Sequence, residues 1–283
     1  DLQEAFKQNV YDAFVRSYKE GQTPNPCAIC NPLMKFGLGL KKADELGCDY
    51  IATGHYAQIK EINGIKRVAK AVDDTKDQSY FLYALPQEAI DRILFPLGGM
   101  CKEDVKKTAL DLLPFLGTLQ TYKESQEICF VEDSYIDILR LYEKVDNEGV
   151  VRDSSGKAVG THKGYMHYTI GKRKGFSVFG SHEPHYVKAI NPKTNEIVVG
   201  TKEELAVNSI KALNKSLPEA FNGGVYDIKV RYRSVPLKAQ IDMQGDYIHA
   251  KLLESAYGVA QGQALVLYQG DCVLGGGVIT QAE

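Results

Sequence analysis

The sequence predicts an α/β chain that changes character partway along and ends in a small antiparallel β-barrel or sandwich. Three observations carry this. Leu2, Phe6, Val10, Phe14 and Tyr18 recur every fourth residue and Gly21 follows them, the stripe and stop of an amphipathic helix. A second helical stretch, "LMKFGLGLKKADELG" (33–47), runs into the short apolar segment "CDYIATGHY" (48–56). Helix, buried strand and glycine in succession belong to α/β architecture, where ligands sit at the carboxyl ends of the strands. From about residue 145 helical periodicity gives way to Gly-rich turns and short alternating runs.

Taken in order, the first helix is followed by a loop carrying Cys27 and Cys30, placed directly after Pro24 and Pro26, two residues that argue against a helix there. The second helix is loosened by Gly37 and Gly39, and the strand after it brings Gly54 and His55 to its carboxyl end. "KEDVKKTALDLL" (102–113) is another helix, stopped before Pro114. The runs 225–233, 237–243, 247–254, 263–269 and 272–279 read as five antiparallel strands, and their even spacing suggests a barrel or sandwich.

Composition limits the function classes. The chain has 283 residues, 44% hydrophobic and 25% charged, ordinary globular values that allow two or three domains. A formal net charge of −2 gives no global attraction to nucleic acid, so such a partner would need a local basic patch. No apolar run approaches the length of a membrane span. Six cysteines are too sparse for a disulfide scaffold, which favours a reducing cytoplasm.

Several stretches carry chemistry, each beside a plainer reading. "TPNPCAIC" (23–30) could be half of a zinc site, a redox pair, a sulfur-handling pair or two semi-buried thiols. A structural zinc site wants a second pair, and Cys129 in "SQEICF" is a single distant thiol. "KDQSYFL" (76–82) reads as a helix start capped by Asp77, its polar head suited to phosphates and base edges. "HKGYMHYTIGKRKGF" (162–176) alternates bases and rings, as an RNA surface does and as a turn with core aromatics also does. In "VRYRS" (230–234) a strand would put Arg231 and Arg233 on one face with Tyr232 opposite. His55 is open as a general base, a nucleotide contact or a core histidine.

Together, "TPNPCAICNPLMKF", "DYIATGHYA", "KDQSYFLY", "SQEICFV", "THKGYMHYTIGKRKGF", "VRYRS" and "VLGGGVI" resemble the tRNA-specific 2-thiouridylase family in order and spacing from about residue 2 onward. The resemblance implies a partial adenine-nucleotide-hydrolase-like (Rossmann-like) parallel-sheet domain at 1–135, a small mixed central domain at 136–205 that binds tRNA, and a C-terminal antiparallel β-barrel at 206–283. It implies replacement of the C2 oxygen of the tRNA wobble uridine by sulfur. The oxygen is adenylated with magnesium-bound ATP, and a persulfide from a donor protein supplies the sulfur. By motif, Cys129 would hold the persulfide. Cys30 would be the second catalytic cysteine, releasing hydrosulfide or closing a Cys30–Cys129 disulfide. Asn25, Pro26 and Cys27 would line the target-base pocket, and Gly54 would touch ATP. Lys76, Asp77, Gln78, Arg231 and Tyr232 would contact tRNA.

Two departures accompany the resemblance. Many members carry Asp where Cys27 stands, and a thiol with an ordinary pKa of about 8.5 is a different group from a carboxylate at about 3.9. Cys27 is therefore assigned to the base pocket and not to catalysis. No Ser-Gly-Gly-x-Asp-Ser phosphate loop occurs in the sequence, so this chain is expected not to adenylate by itself. Alternatives from other classes are a non-catalytic tRNA-binding fragment, a zinc-stabilised structural protein, and an iron–sulfur thiolase using Cys27, Cys30 and Cys129. No permanent cofactor or metal is otherwise expected.

Overall fold

The computed structural model describes residues 1–113, 115, 128–180, 183–218 and 221–283. The first apolar stripe folds as one helical run: a turn at Gln3–Phe6, a π-helical turn at Lys7–Tyr11 and an α-helix at Asp12–Lys19. A strict four-residue repeat outruns the 3.6-residue α-turn by about 40° per step. The wider π turn absorbs that drift, which keeps Val10, Phe14 and Tyr18 buried on one face.

The cysteine segment corrects the expectation drawn from its prolines. Cys27 and Cys30 lie within a short α-helix, Pro26–Cys30, capped by the Asn25 side chain, whose oxygen accepts from the Ala28 N–H at 3.2 Å. Pro26 sits at the first helical position, where an N–H would have no intrahelical partner, so proline starts the helix instead of forbidding it. The run continues as a π-helix at Asn31–Leu38 and an α-helix at Gly39–Glu45. Pro32 has no N–H to offer the preceding turn, and the chain widens there. A β-carbon on Gly37 would stand 2.7 Å from the Pro32 carbonyl oxygen, so that position takes glycine.

Strand β1 (Ile51–Ala52) is shorter than the 48–56 run suggests, because Cys48, Asp49 and Tyr50 are exposed. Strands β2 (Ala57–Ile62) and β3 (Ile65–Lys70) form a hairpin turned at Asn63-Gly64, both at positive φ (51° and 76°). β4 (Ile93–Leu94) pairs in parallel with β1, the α/β element. The 102–113 prediction is met by an α-helix at Lys102–Leu112; its expected stop, Pro114, lies outside the described residues.

The central segment contains β5 (Gly149–Arg152), β6 (Ala158–His162), β7 (Phe176–Val178), β8 (Tyr186–Asn191) and β9 (Glu196–Gly200). They form one sheet in the order β7-β6-β5-β9-β8, with β5 and β9 parallel. Val151, Val187, Ile197 and Val199 fill its core with Tyr168.

The C-terminal strands are β10 (Ala206–Asn214), β11 (Gly224–Lys229), β12 (Leu237–Gln244), β13 (Tyr247–Tyr257), β14 (Ala264–Gln269) and β15 (Cys272–Ala282). They run β10-β13-β12-β11-β14-β15, and β10 pairs back with β15, so the sheet closes into a barrel. β10 is the strand the sequence reading lacked. β15 also carries the β2–β3 hairpin through Cys272 opposite Ala69. A second departure concerns 230–234. β11 ends at Lys229, and Arg231 to Ser234 form a turn closed by the Ser234 N–H donating to the Arg231 carbonyl at 3.1 Å.

Candidate sulfur-transfer site

The cysteine helix is fixed between the core and the barrel. Ala28 of this helix, with Phe36 and Leu40 from the helical run that continues it, packs with Tyr80, Leu82, Ala264, Val266 and Tyr268 in one cluster. The Gln263 side chain donates to the carbonyls of Thr23 and Pro24, at 3.0 Å each, and the Thr23 N–H donates to the Gln261 carbonyl at 2.9 Å. The loop before Cys27 is thus held by the barrel segment that opens β14.

Cys129 reaches the same region from far along the chain. It stands in a turn in which the Val131 N–H donates to the Ile128 carbonyl at 2.8 Å. Phe130 holds that turn down, its ring 5.6, 5.5 and 5.3 Å from those of Phe6, Tyr11 and Phe14. Cys129 itself is exposed, whereas Cys27 and Cys30 are half-buried, and all three are free thiols.

The thiols interact electrostatically. Burial pushes the Cys27 thiol up to about 11, the nearness of Cys129 adds to this, Lys35 opposes it and Cys30 contributes further. Burial also raises Cys30; Lys35 draws it back down, and Cys129 again raises it. Cys30 and Cys129, predicted as catalytic, therefore share one electrostatic neighbourhood with Cys27 and Lys35. Among the described residues no group of three His, Cys, Asp or Glu side chains is placed to hold a metal ion. Cys27, Cys30 and Cys129 are thus not grouped as metal-ion ligands among the described residues.

His55, left open by the sequence, is buried and joined on both sides. Its Nε2 lies 3.3 Å from Lys35 Nζ, and its Nδ1 lies 2.8 Å from Thr53 Oγ1. An ammonium can only donate, so Nε2 is the acceptor and Nδ1–H donates to Thr53. Burial, then the Lys35 charge, lowers His55 to about 4, and the ring is neutral near pH 7. Gly54 is exposed at the carboxyl end of β1, and a β-carbon there would meet only Leu97, at 3.8 Å.

Of the base-pocket residues, Asn25 and Pro26 are buried beside half-buried Cys27. Asn25 spends its oxygen on the helix cap, while its buried Nδ2 has no hydrogen-bond partner within the chain. Asn31, which sequence reasoning passed over, donates to the Phe81 carbonyl at 3.1 Å and keeps a buried, unpartnered Oδ1. Two unanswered polar atoms flank the cysteine helix. Lys35 was also passed over, although it stands inside the quoted "NPLMKF".

The residues expected to face tRNA divide. Asp77 is buried, and its carboxylate accepts from the N–H groups of Ala71 and Ser79, at 3.1 Å each, and from the Ser79 hydroxyl at 2.8 Å. Gln78 holds the position before the 3-10 turn at Ser79–Leu82 without a side-chain cap bond. The Asp77 carboxylate, one residue earlier, takes the first N–H of that turn, the capping role the sequence suggested. Gln78 spends its side-chain oxygen on the Tyr56 N–H at 2.9 Å, and Lys76 beside it is half-buried. Arg231 donates to the Ile170 carbonyl at 2.6 Å and ties the barrel turn to the central segment. Tyr232 packs against Phe81 with centroids 4.5 Å apart, and its phenol, raised mainly by burial, also senses Cys27.

The basic–aromatic stretch is likewise mostly structural in its rings. Tyr168 is buried, Tyr165 donates to the Lys19 carbonyl at 2.9 Å, and Lys172 donates to the His167 carbonyl at 2.7 Å. Arg173 and Lys174 are the exposed bases of "GKRKG".

Family comparisons agree with this architecture. Residues 1–133 match a tRNA methyl transferase HUP domain, 137–201 a tRNA methyl transferase PRC-barrel domain, and 202–279 an aminomethyltransferase beta-barrel domain. The chain is 86% identical over 283 residues to the tRNA-specific 2-thiouridylase MnmA of Helicobacter hepaticus, covering all of this chain and 82% of that protein. It is 60% identical over 279 residues to the protein of that name from Helicobacter pylori strain 26695, covering 99% of this chain and 82% of that one. Against the Campylobacter jejuni protein of that name, strain 81116, identity is 50% over 280 residues, with 99% and 81% covered. The matched lengths span all three portions of the fold, and the chain belongs to the tRNA-specific 2-thiouridylase family.

Proposed function

We propose that the chain carries the sulfur-transfer centre of a tRNA-uridine 2-sulfurtransferase. The observation that supports it most is the shared environment of Cys129, exposed on a braced turn, and Cys30, half-buried on the cysteine helix. An outward thiol can meet a donor protein; an inward one beside it can act on what the first thiol receives. The relatives are named for 2-thiouridylation of tRNA, which such a pair of thiols would serve.

In this reading ATP adenylates the C2 oxygen of the wobble uridine and pyrophosphate leaves. Oxide is a poor leaving group, and AMP replaces it. A perthiolate on Cys129 then attacks C2, expelling AMP and leaving the base joined to Cys129 through two sulfurs. Cys30 thiolate attacks the Cys129 sulfur, forming a Cys30–Cys129 disulfide and releasing the 2-thiouridine. A two-electron reductant afterwards restores both thiols. Gly54 leaves open backbone for the nucleotide at a strand end. Asn25 Nδ2 and Cys27 line the base pocket, and a uridine in a single-stranded loop can be turned out to reach it. Lys76, Arg173 and Lys174 meet phosphates, while Asp77, Gln78 and Arg231 hold the loops that present them, and Tyr232 closes the pocket. Segments 1–135, 136–205 and 206–283 serve as nucleotide, tRNA-docking and barrel domains.

Intact-mass analysis after exposure to a low-molecular-weight persulfide tests this. The wild type should gain one sulfur atom at early times, before Cys30 attacks Cys129 and releases it as hydrosulfide, and Cys129→Ser should gain none. Equal uptake by both proteins would place the acceptor elsewhere, and no uptake by either would favour a non-catalytic tRNA-binding role.

A further inference from the structure

Cys30 has to act as an anion, yet it is half-buried, and burial and then Cys129 resist its ionisation. The groups facing it are Cys129 from the turn at 128–131 and Lys35 from its own helical run. Cys27 precedes it by one turn and is faced in addition by Tyr232 from the barrel. Lys35 is the single cation of this set. Its position follows from the helix: Asn31–Leu38 is π-helical, and a π turn places a residue over the one five positions before it, so Lys35 follows Cys30 by one such turn.

What Lys35 touches is unusual. A surface lysine normally finds a carboxylate or water, whereas Lys35 Nζ lies 3.3 Å from the neutral Nε2 of buried His55, whose other nitrogen is fixed by Thr53. A neutral acceptor steers the ammonium without cancelling its charge. An ammonium has three donors, and His55 takes one.

We propose that Lys35, braced by the Thr53–His55 pair, is a positioning residue of the sulfur centre that eases formation of the Cys30 thiolate in its half-buried setting. His55 is therefore a holder of the cation, not a general base. The role in catalysis rests on the sulfur-relay reading above, but the ionisation of Cys30 can be measured without tRNA, ATP or a sulfur donor.

The experiment is the rate of Cys30 alkylation by iodoacetamide in the intact chain, mapped by peptide mass spectrometry from about pH 6 to about pH 11. Lys35→Met should move the midpoint upward by about one unit, a roughly tenfold slower reaction at mid-range pH. Lys35→Arg, which keeps the charge, should restore the rate to within about threefold. Added salt should raise the wild-type midpoint and leave Lys35→Met unmoved, a comparison made on the wild-type fold itself. An unshifted midpoint in Lys35→Met, or an Arg variant as slow as Met, overturns the proposal. A failed persulfide uptake with these shifts intact would sink the relay reading and leave Lys35 in place.

Discussion

Lys35 acts on Cys30 and is held by His55, yet of the three only Cys30 could be assigned from sequence. The cysteines were legible because their segments match a known pattern. Lys35 and His55 were not, because their contact joins positions 20 residues apart and depends on a π turn that no local propensity announces. His55 also yields a pH prediction. Its folded value of about 4 lies below the ordinary 6.5, so between those two pH values the unfolded chain binds more protons. Stability should fall as pH drops through that window, by at most about 3 kcal/mol, and remain unaffected above it. Urea melts at pH 7.5 and about pH 5 should show the loss in the wild type and much less of it in His55→Gln. Cys27, pushed up to about 11, should stay largely unalkylated at pH 8 under conditions that label exposed Cys129.

Among the elements, short ones do most of the positioning. The cysteine helix is five residues long and could not persist alone; its cap, its packed face and Gln263 keep it in place. Gln263→Ala removes two hydrogen bonds from the Thr23 and Pro24 carbonyls and should cost about 1–2 kcal/mol in a denaturant melt. Pro26 illustrates a misread signal: proline was taken to forbid a helix when its place was the helix start. The Asn63-Gly64 hairpin was legible and went unread. β10 was harder, because its inward residues are Ile210 and a small Ala212 between lysine and asparagines. The 230–234 run was a turn despite alternating like a strand, because Arg231 is needed on Ile170 and Tyr232 on Phe81.

In the whole molecule, the division into an α/β part, a mixed middle and a barrel could be read from the change in periodicity. The way the parts meet could not. The β2–β3 hairpin from the first part joins the barrel sheet at Ala69 and Cys272, and Tyr80 exchanges hydrogen bonds with Ala264 through its hydroxyl. The thiol site stands at this junction, so an engineered separation of the first part from the barrel should disorder the cysteine helix. Docking of tRNA belongs to the same scale. With a net charge of −2, binding has to come from local bases, and affinity should fall with salt. Arg173→Ala with Lys174→Ala should flatten the log–log salt slope by roughly one to two. An unchanged slope would remove those side chains from the phosphate contacts.

The relay itself is tested by loading wild-type chain with a low-molecular-weight persulfide and mapping its peptides without reduction while hydrosulfide is measured. Attack of Cys30 on the Cys129 persulfide releases hydrosulfide and leaves a disulfide between the two, so a cross-linked peptide pair containing residues 30 and 129 should appear as hydrosulfide does, and Cys30→Ser should suppress both. Hydrosulfide release that continues undiminished in Cys30→Ser, or a cross-link from Cys129 to Cys27 alone, would contradict the account.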